Sequence, residues 1–235
     1  MNSNDLSLIF IAGNQVESQM IESYKEIFSH WQRVWSETFK EVEGSQTLFS
    51  DDFTRQDEIM ALFYKTTCIS ICCHRLGNLA LPSFKKDSYF KAWSDESIQA
   101  LAKDGQSIII DSQISVDPEH RKLEGGIRVI ELMTCLSLQH LTQLKVSGIT
   151  AAARNLRSMN QVFEKFNPVL LEKEVLLHGE ETNLYAFYPS QDLFQNSASE
   201  LLRIGDRLLQ FSIRSQFINP FFSSGTRIGR IKISA

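Results

Sequence analysis

The sequence is poor in cysteine, proline and long apolar runs. Its 235 residues include four cysteines and five prolines, and the cysteines lack the spacing of zinc ligands, so neither a disulfide scaffold nor a metal site is expected. No apolar stretch approaches the roughly 20 residues of a membrane-spanning helix, and the first residues lack the basic start of a secretory signal. The net charge of -4 argues against nucleic-acid binding. We therefore expect a cytoplasmic protein with reduced, buried thiols.

Apolar residues make up 43% of the chain and charged residues 22%, the balance of a globular protein with a sizeable core. Residue periodicity predicts strands and helices in mixed order. The predicted strands are 6–13, 107–116 and 146–153, with hairpins over 58–73 and 169–190, and the predicted helices are 15–43, 94–103, the segment up to 144, 155–166 and 197–211. Strand, helix and strand over 107–152 imply two parallel strands joined by a right-handed crossover. The fold class is therefore mixed α/β.

The stretch VDPEHRKLEGGIRVIELM, residues 116–133, passes from a strand to a helix through a basic, glycine-rich corner. The first N–H groups of a helix lack intrahelical partners and attract anions. Gly125 and Gly126 would let a phosphate approach the backbone, and Arg121 and Lys122 add positive charge. Glu124 opposes this interpretation unless its carboxylate points away. The alternative is a plain strand-to-helix turn with surface charges.

V-x-P-x-x-R followed by glycines and an amphipathic helix resembles the acyl-donor motif of the GCN5-related N-acyltransferase superfamily. In that family the motif binds the pyrophosphate of coenzyme A or the phosphopantetheine of acyl carrier protein. The best register places Lys122, Gly125 and Ile127 at the motif positions, with Ile127 where a small residue is usual. The segment from Asn155 through FEKFN resembles the family's next helix, with Phe163 in place of its usual tyrosine.

The resemblance implies a central sheet whose parallel strands splay apart, flanked by helices, in a single domain over residues 1–235. Residues 1–105 would form the acceptor side, 106–168 the acyl-donor core, and 169–235 a hairpin, helix and tail. The co-substrate would be acyl-CoA or acyl-ACP, with no metal, and the partner a small-molecule amine. An acyl group would pass directly to that amine, since no pairing of a nucleophile with histidine is recognisable.

Site roles follow from the same resemblance. An amide N–H near Val116 would face the thioester carbonyl, and Asn155 would bind pantetheine amides unless it is only a helix N-cap. Asp111, alone in an apolar strand, is the candidate base, unless it faces solvent or pairs with a cation. Ser158 would protonate the departing thiolate unless it is a plain surface serine. By strand alternation, Gln113 and Ser115 would share the face of Asp111.

The first third of the chain also resembles N-acyl amino acid synthases and acyl-homoserine-lactone synthases. Segments 31–39 and 50–58 carry residue types that match their acceptor sites: Arg33, Trp35, Asp52 and Asp57. The alternative is an amphipathic core helix followed by a solvated loop.

An acidic carrier protein would need a basic rim around the donor site. The candidates for that rim are His120, Arg121, Lys122, Arg128, Arg154 and Arg157, with Arg227, Arg230 and Lys232 in the tail. Three other functions stay open: a silent acyl-CoA-binding or regulatory module, a short-chain acetyltransferase, and an unrelated α/β protein.

Overall fold

An eight-stranded mixed sheet forms the centre of a computed structural model that describes residues 1–44, 48–155 and 158–223. The strand order is β6-β7-β5-β4-β3-β2-β1-β8. β4 and β5 pair in parallel, as do β1 and β8, and the other neighbours are antiparallel. The strands are β1 (Leu6–Ile11), β2 (Glu58–Tyr64), β3 (Thr67–Asn78), β4 (Ser107–Val116), β5 (Gly148–Arg154), β6 (Val169–Leu177), β7 (Glu180–Phe187) and β8 (Ile213–Arg214).

The helices are α1 (Ile21–Glu43), α2 (Asp51–Thr54), α3 (Pro82–Lys85), α4 (Asp95–Leu101), α5 (Val129–Leu141), α6 (Met159–Glu164), α7 (Ser199–Gln210) and α8 (Pro220–Ser223). The mixed α/β class and both hairpins are confirmed, and β4 has the predicted bounds. Ser94 caps α4 by accepting a hydrogen bond from the Ser97 N–H. No helix among the described residues is long and apolar enough to cross a membrane.

The two faces of the sheet bury separate cores. On the rear face α5, α6 and α7 pack against β1, β3, β4 and β5. The front face carries two smaller clusters, one beneath α1 and one beneath α4. Cys72 lies in the rear core and its neighbour Cys73 in the front core, as strand alternation predicts. All four cysteines are buried and free.

β4 and β5 separate soon after they meet. They pair over three residue pairs, from Ile108–Gly148 to Ile110–Thr150, although β4 continues to Val116. A β-bulge accompanies the separation. β4 advances three positions, from Ser112 to Ser115, where β3 advances two, between Cys73 and Ile71. Gln113 lies in this bulge with φ 54°, and a bulge bends its strand away from its neighbour. The predicted splayed parallel strands are confirmed.

Candidate active site

A cavity of about 330 Å³ opens on the front face where β4 and β5 diverge. Its walls come from α1, α2 and the residues just after it, residues 88–93 and strands β3 to β7. A smaller space of about 80 Å³ touches Trp35 on the front side and Ile114 and Phe163, which pack with the rear core. The gap between the strands is therefore open through the sheet, and we call this smaller space the passage.

The bulge decides which way the β4 side chains point. Asp111 lies on the rear face, where its carboxylate accepts hydrogen bonds from Cys72 Sγ at 2.5 Å and Ser137 Oγ at 2.9 Å. Gln113 lies on the front face and accepts from Trp31 Nε1 at 2.5 Å. Ser115 is also on the front face, 3.1 Å from His30 Nε2. The prediction that the three share a face is wrong, because the extra residue of the bulge shifts the alternation.

Asp111 borders both the cavity and the passage, yet the residue is only 3% exposed. Burial raises the pKa of its carboxyl group, and the nearby His74 partly opposes that effect. Its carboxylate is directed toward α5 and away from the front cavity. In this orientation Asp111 does not act directly as a base toward an amine in that cavity.

A buried polar network extends from Asp111 along the rear face. Ser137 Oγ lies 3.1 Å from His74 Nε2, and His74 Nδ1 lies 2.9 Å from Glu58 Oε1. The same oxygen is 2.7 Å from His140 Nε2. Burial opposes ionisation of Glu58, but His140 and His74 hold the pKa of its carboxyl far below the usual value. The sequence signal for this network was a set of single polar residues inside apolar strands and an apolar helix.

Two triplets of this network have ligand atoms close enough to hold a metal ion. The first is Glu58, His74 and His140, and the second is Cys72, His74 and Asp111. In the first, Arg214 Nη2 lies 3.3 Å from His140 Nδ1, so that nitrogen accepts and His140 Nε2 carries the proton donated to Glu58. No lone pair of His140 is then directed at the site. In the second, burial raises the pKa of Cys72 well above its usual value, so the thiolate that a metal needs is disfavoured. Neither triplet fits a metal.

The front cavity contains polar atoms without partners. Trp35 Nε1, Trp93 Nε1 and Gln56 Oε1 are buried and accept or donate no hydrogen bond among the described residues, and all three residues line the cavity. A buried polar group without a partner costs about 1–3 kcal/mol. Two donors and one acceptor in residues that line the cavity are thus without partners in the described part of the chain.

Cations surround the same cavity. Arg55 pairs with Asp52 at 2.6 Å, Arg75 with Asp87 at 2.8 Å and Arg154 with Glu180 at 3.1 Å. Lys91 is an exposed fourth cation in the wall. Among the residues that the structure describes, four cations against three carboxylates leave one positive charge in surplus, since the Asp111 carboxylate is directed to the other face. The cavity therefore favours a ligand with one negative charge.

The predicted acceptor residues divide into two groups. Trp35 and Asp52 line the cavity, and the guanidinium of Arg154 lies over the Trp35 ring at 5.5 Å. Arg33 lies elsewhere and forms a 2.6 Å ion pair with Asp117. Asp57 accepts a hydrogen bond from the Leu76 N–H at 2.8 Å. Both side chains already have partners, and neither residue is among those that line the cavity. Sequence reasoning missed Gln56, Arg75, Lys91 and Trp93.

The glycine corner is open. Gly125 and Gly126 adopt φ 84° and 85°, and a Cβ on either would meet no atom within 4 Å. The positive φ angles explain why glycine occupies both positions. The Gly126 N–H is not free for an anion, because it donates to the Leu123 carbonyl at 3.1 Å. Ile127 packs against the rear core, so the corner accommodates a large residue at this position.

Helix α5 begins three residues after the glycines. The Val129 N–H donates to the Arg121 carbonyl at 2.9 Å, while Arg121 and Lys122 are exposed. Glu131 lies in the first helical turn, 2.6 Å from Lys165 and 3.6 Å from Arg128. The α5 N-terminus thus has a basic rim. The one carboxylate within it, that of Glu131, is already paired.

The remaining predicted donor contacts lie along the gap. The Asp117 N–H bonds to Ile69 on β3, so by alternation the Val116 N–H points away from β3, toward the gap. Asn155 has a buried Oδ1 without a partner among the described residues, which is suited to an amide donor. Ser158 adopts a left-handed conformation before α6, with no side-chain capping bond. Arg157, Arg227, Arg230 and Lys232 lie outside the described residues.

No family model and no curated protein matches the chain. Solved structures resemble it at low identity. One is BjaI, a CoA-dependent acyl-homoserine lactone synthase solved with SAM and isopentyl-CoA, at 16% identity and TM-score 0.51, covering 89% of this chain and 92% of that chain. Another is FeeM, an N-acyl amino acid synthase from uncultured soil microbes, at 8% identity and TM-score 0.51, covering 79% and 93%.

An agmatine N-acetyltransferase mutant in its apo form is similar at 8% identity and TM-score 0.54, covering 78% of this chain and 99% of that chain. At these identities the likeness shows the fold. The chain therefore has the fold of the GCN5-related N-acyltransferases, as the sequence resemblance predicted.

Proposed function

We propose that this protein is an N-acyltransferase, which moves an acyl group from a pantetheine thioester to an amine by direct attack. The observation that carries the proposal is the gap between β4 and β5, which is open through the sheet beside an unobstructed glycine corner. Such a gap lets a thioester reach its acceptor from the opposite face. Of the solved structures reported above, one is an acyl-homoserine lactone synthase, one an N-acyl amino acid synthase and one an N-acetyltransferase by name.

The acceptor in this proposal is an amine that carries one carboxylate, such as an amino acid. An α-amino acid with its amine deprotonated for attack has one negative charge, which matches the one surplus positive charge of the cavity. Trp35 Nε1 and Trp93 Nε1 supply donors for a carboxylate, and Gln56 Oε1 supplies an acceptor for the amine. A volume of about 330 Å³ is at the small end of ligand sites and accommodates an amino acid.

The donor is acyl-CoA or acyl-ACP. Asn155 Oδ1 and the Val116 N–H face the gap as an acceptor and a donor for the thioester arm. Arg121 and Lys122, with the paired Arg128 and Lys165, form a basic rim at the α5 N-terminus. This rim is suited to a phosphate and to an acidic carrier protein. In this arrangement residues 1–105 build the acceptor side and 106–168 the donor core of one domain.

The test measures thiol release with a colorimetric thiol reagent. Purified protein is mixed with acyl-CoA donors from acetyl to hexadecanoyl, and separately with the matching acyl-ACPs, together with each common amino acid. We expect release that requires both donor and amino acid, and mass spectrometry should show the amide product. Release from decarboxylated amines at equal rates would contradict the acceptor assignment. No release from any pair would contradict the activity.

A silent donor-binding module is the second candidate, favoured by Phe163, which is buried and has no hydroxyl where the family usually has tyrosine. Calorimetry separates the two, because a silent module would bind CoA with no turnover in the panel above.

A further inference from the structure

Gln113 occupies the bulge of β4 in a backbone conformation that is unfavourable for its residue type. Its φ is 54°, in the left-handed region that disfavours any residue with a Cβ. Trp31 of α1 holds its side chain by a hydrogen bond. Two residues further on, Ser115 is held through its Oγ by His30 and through its carbonyl by Ser70 Oγ at 2.7 Å. Contacts from α1 and β3 thus keep a strained residue in place, an arrangement typical of functional sites.

Two donors fix the orientation of the Gln113 carboxamide. The indole N–H of Trp31 can only donate, and its nitrogen lies 2.5 Å from one terminal atom of Gln113. Cys73 Sγ lies 3.9 Å from the same atom, and burial raises the pKa of this thiol, so it stays protonated and donates as well. The atom that accepts from both is therefore Oε1. The other terminal atom is Nε2, which carries two hydrogens.

Gln113 Nε2 is an accessible donor. It forms no hydrogen bond with any residue that the structure describes, and it is not one of the side-chain atoms buried without a partner. Gln113 is half-buried and lines both the front cavity and the passage. Nε2 therefore presents its hydrogens where these two spaces meet, which is where a thioester from the rear would encounter an amine from the front.

Five other residues line both spaces: Trp35, Asp111, Ser112, Ala152 and Arg154. The Asp111 carboxylate is directed to the rear, and Ala152 has no polar side-chain atom. Ser112 Oγ donates to a backbone carbonyl of β3 at 3.4 Å, and Arg154 pairs with a carboxylate. Trp35 Nε1 is buried, and the proposed function assigns it to the carboxylate of the acceptor. The accessible neutral donor that remains at this junction is that of Gln113.

Building on the proposed function, we propose that Gln113 is a catalytic residue whose Nε2–H donates to the thioester carbonyl oxygen, and that Trp31 is the positioning residue that directs it there. The amine nitrogen bonds to the carbonyl carbon, and the π electron pair moves to oxygen, where the Gln113 donor meets the negative charge. That pair returns as the carbon–sulfur bond breaks and its electrons go to sulfur. The amine loses one proton to the water of the cleft and sulfur takes one from it, so Gln113 is unchanged after one turnover.

The contact with the carbonyl oxygen is tested without turnover. In the absence of an amine, calorimetry compares hexanoyl-CoA with S-hexyl-CoA, which has the same chain and no carbonyl group. The same two chains on acyl carrier protein form a second pair. Wild type should bind the thioester more tightly, and Gln113→Glu should reduce this preference at least about fivefold, because an acceptor then replaces the donor of one hydrogen bond. Gln99→Glu, the matched change at an exposed glutamine, should leave the preference unchanged.

The outcomes separate this proposal from the proposed function. If wild type and Gln113→Glu show the same preference, the role of Gln113 is overturned and the proposed function stands. If wild type binds neither ligand in either form, both are overturned. Trp31→Phe keeps a ring but removes the N–H, so the carboxamide can turn and the preference should fall about twofold. An unchanged preference in Trp31→Phe would overturn the positioning role, since a purely structural change weakens both ligands alike.

The catalytic role is tested with two donors that differ in one atom, hexanoyl-CoA and its dithioester, in which sulfur replaces the carbonyl oxygen. Gln113→Met keeps the length of the side chain and removes its donor. This variant should lower kcat about 100-fold with the thioester, as for the loss of one oxyanion donor. With the dithioester the loss should be less than about threefold, because sulfur is a weak acceptor. Equal losses with both donors would show that Gln113 does not act on the carbonyl oxygen. If Gln113→Met does not fold, Gln113→Glu, which keeps an acceptor for Trp31, decides the question with the same two donors.

Discussion

Single side chains determine the charge of the front cavity. Arg55, Arg75 and Arg154 each have a carboxylate partner, so their charge is largely compensated before a ligand arrives. Lys91 carries the remaining positive charge and is exposed in the cavity wall. The proposed preference for a carboxylate-bearing acceptor therefore depends on one exposed residue.

Replacing Lys91 with glutamine tests this assignment. Without the surplus charge, KM for amino acids should rise about fivefold, as expected for a partly exposed ion pair of about 1 kcal/mol. The corresponding decarboxylated amines should be unaffected. The control is Lys86→Gln, an exposed lysine outside the cavity wall. Equal changes in KM for both acceptor classes would contradict the carboxylate role.

Gly125→Ala tests the corner. An alanine at φ 84° meets no neighbouring atom but strains the backbone by about 1–2 kcal/mol. Gly44 has φ 87° and equally open space, but its ψ is -108° where that of Gly125 is 0°. That conformation is less favourable for alanine, so Gly44→Ala should cost at least as much stability in urea unfolding. Only Gly125→Ala should weaken CoA binding in calorimetry, because a Cβ would then stand where phosphate approaches. A similar affinity for both variants would indicate that phosphate binds elsewhere.

At the scale of elements, α1 is attached to β4 and to the basic corner by polar contacts. Trp31 donates to Gln113, His30 contacts Ser115 and Arg33 pairs with Asp117. Sequence reasoning assigned Arg33 to the acceptor because its residue type matched. The structure uses it to join α1 to the segment that follows β4, through the ion pair with Asp117.

His30 makes this attachment sensitive to acid. Burial first, and Arg33 second, lower the pKa of His30 from 6.5 to about 4. The unfolded chain therefore binds a proton that the folded protein excludes. This contribution to stability is complete above about pH 6.5 and is lost as the pH falls toward 4, by up to about 3 kcal/mol.

The measurement is urea unfolding of wild type and His30→Gln at pH 7, 5.5 and 4. The difference in unfolding free energy between the two proteins should shift in favour of the variant as the pH falls. His178→Gln, at an exposed histidine, should parallel wild type. A difference that is constant across pH would show that His30 is not neutral in the folded protein.

At the scale of the whole molecule, the rear network joins parts far apart in the sequence. Glu58 from β2 contacts His74 from β3, His140 from α5 and Arg214 from β8. Phe222 of α8 lies against the His74 ring, with centroids 6.3 Å apart. The C-terminal helix and the edge strand are thus held to the centre of the sheet through one buried carboxylate.

Glu58→Gln should destabilise the whole fold. It leaves Arg214 buried without its counter-charge, at a cost of about 3–5 kcal/mol, which lowers Tm by roughly 10 °C in a chain of this size. Differential scanning calorimetry measures this loss. Glu200→Gln, which breaks an exposed ion pair with Arg203, should change Tm by less than about 2 °C. Similar values for both variants would show that the buried network adds no net stability.

The sequence by itself determined the local elements and the donor half of the fold. Hydrophobic periodicity and the strand-to-helix corner are local, so β4, both hairpins and the glycine turn could be predicted from neighbouring residues. The front cavity and the rear network depended on the tertiary structure. The bulge at Gln113 places Gln113 and Ser115 on the face opposite Asp111. Strand pairing and the packing of α5 bring Glu58, His74 and His140 together across a separation of 82 residues. Such contacts depend on the register of the sheet, which no local pattern encodes.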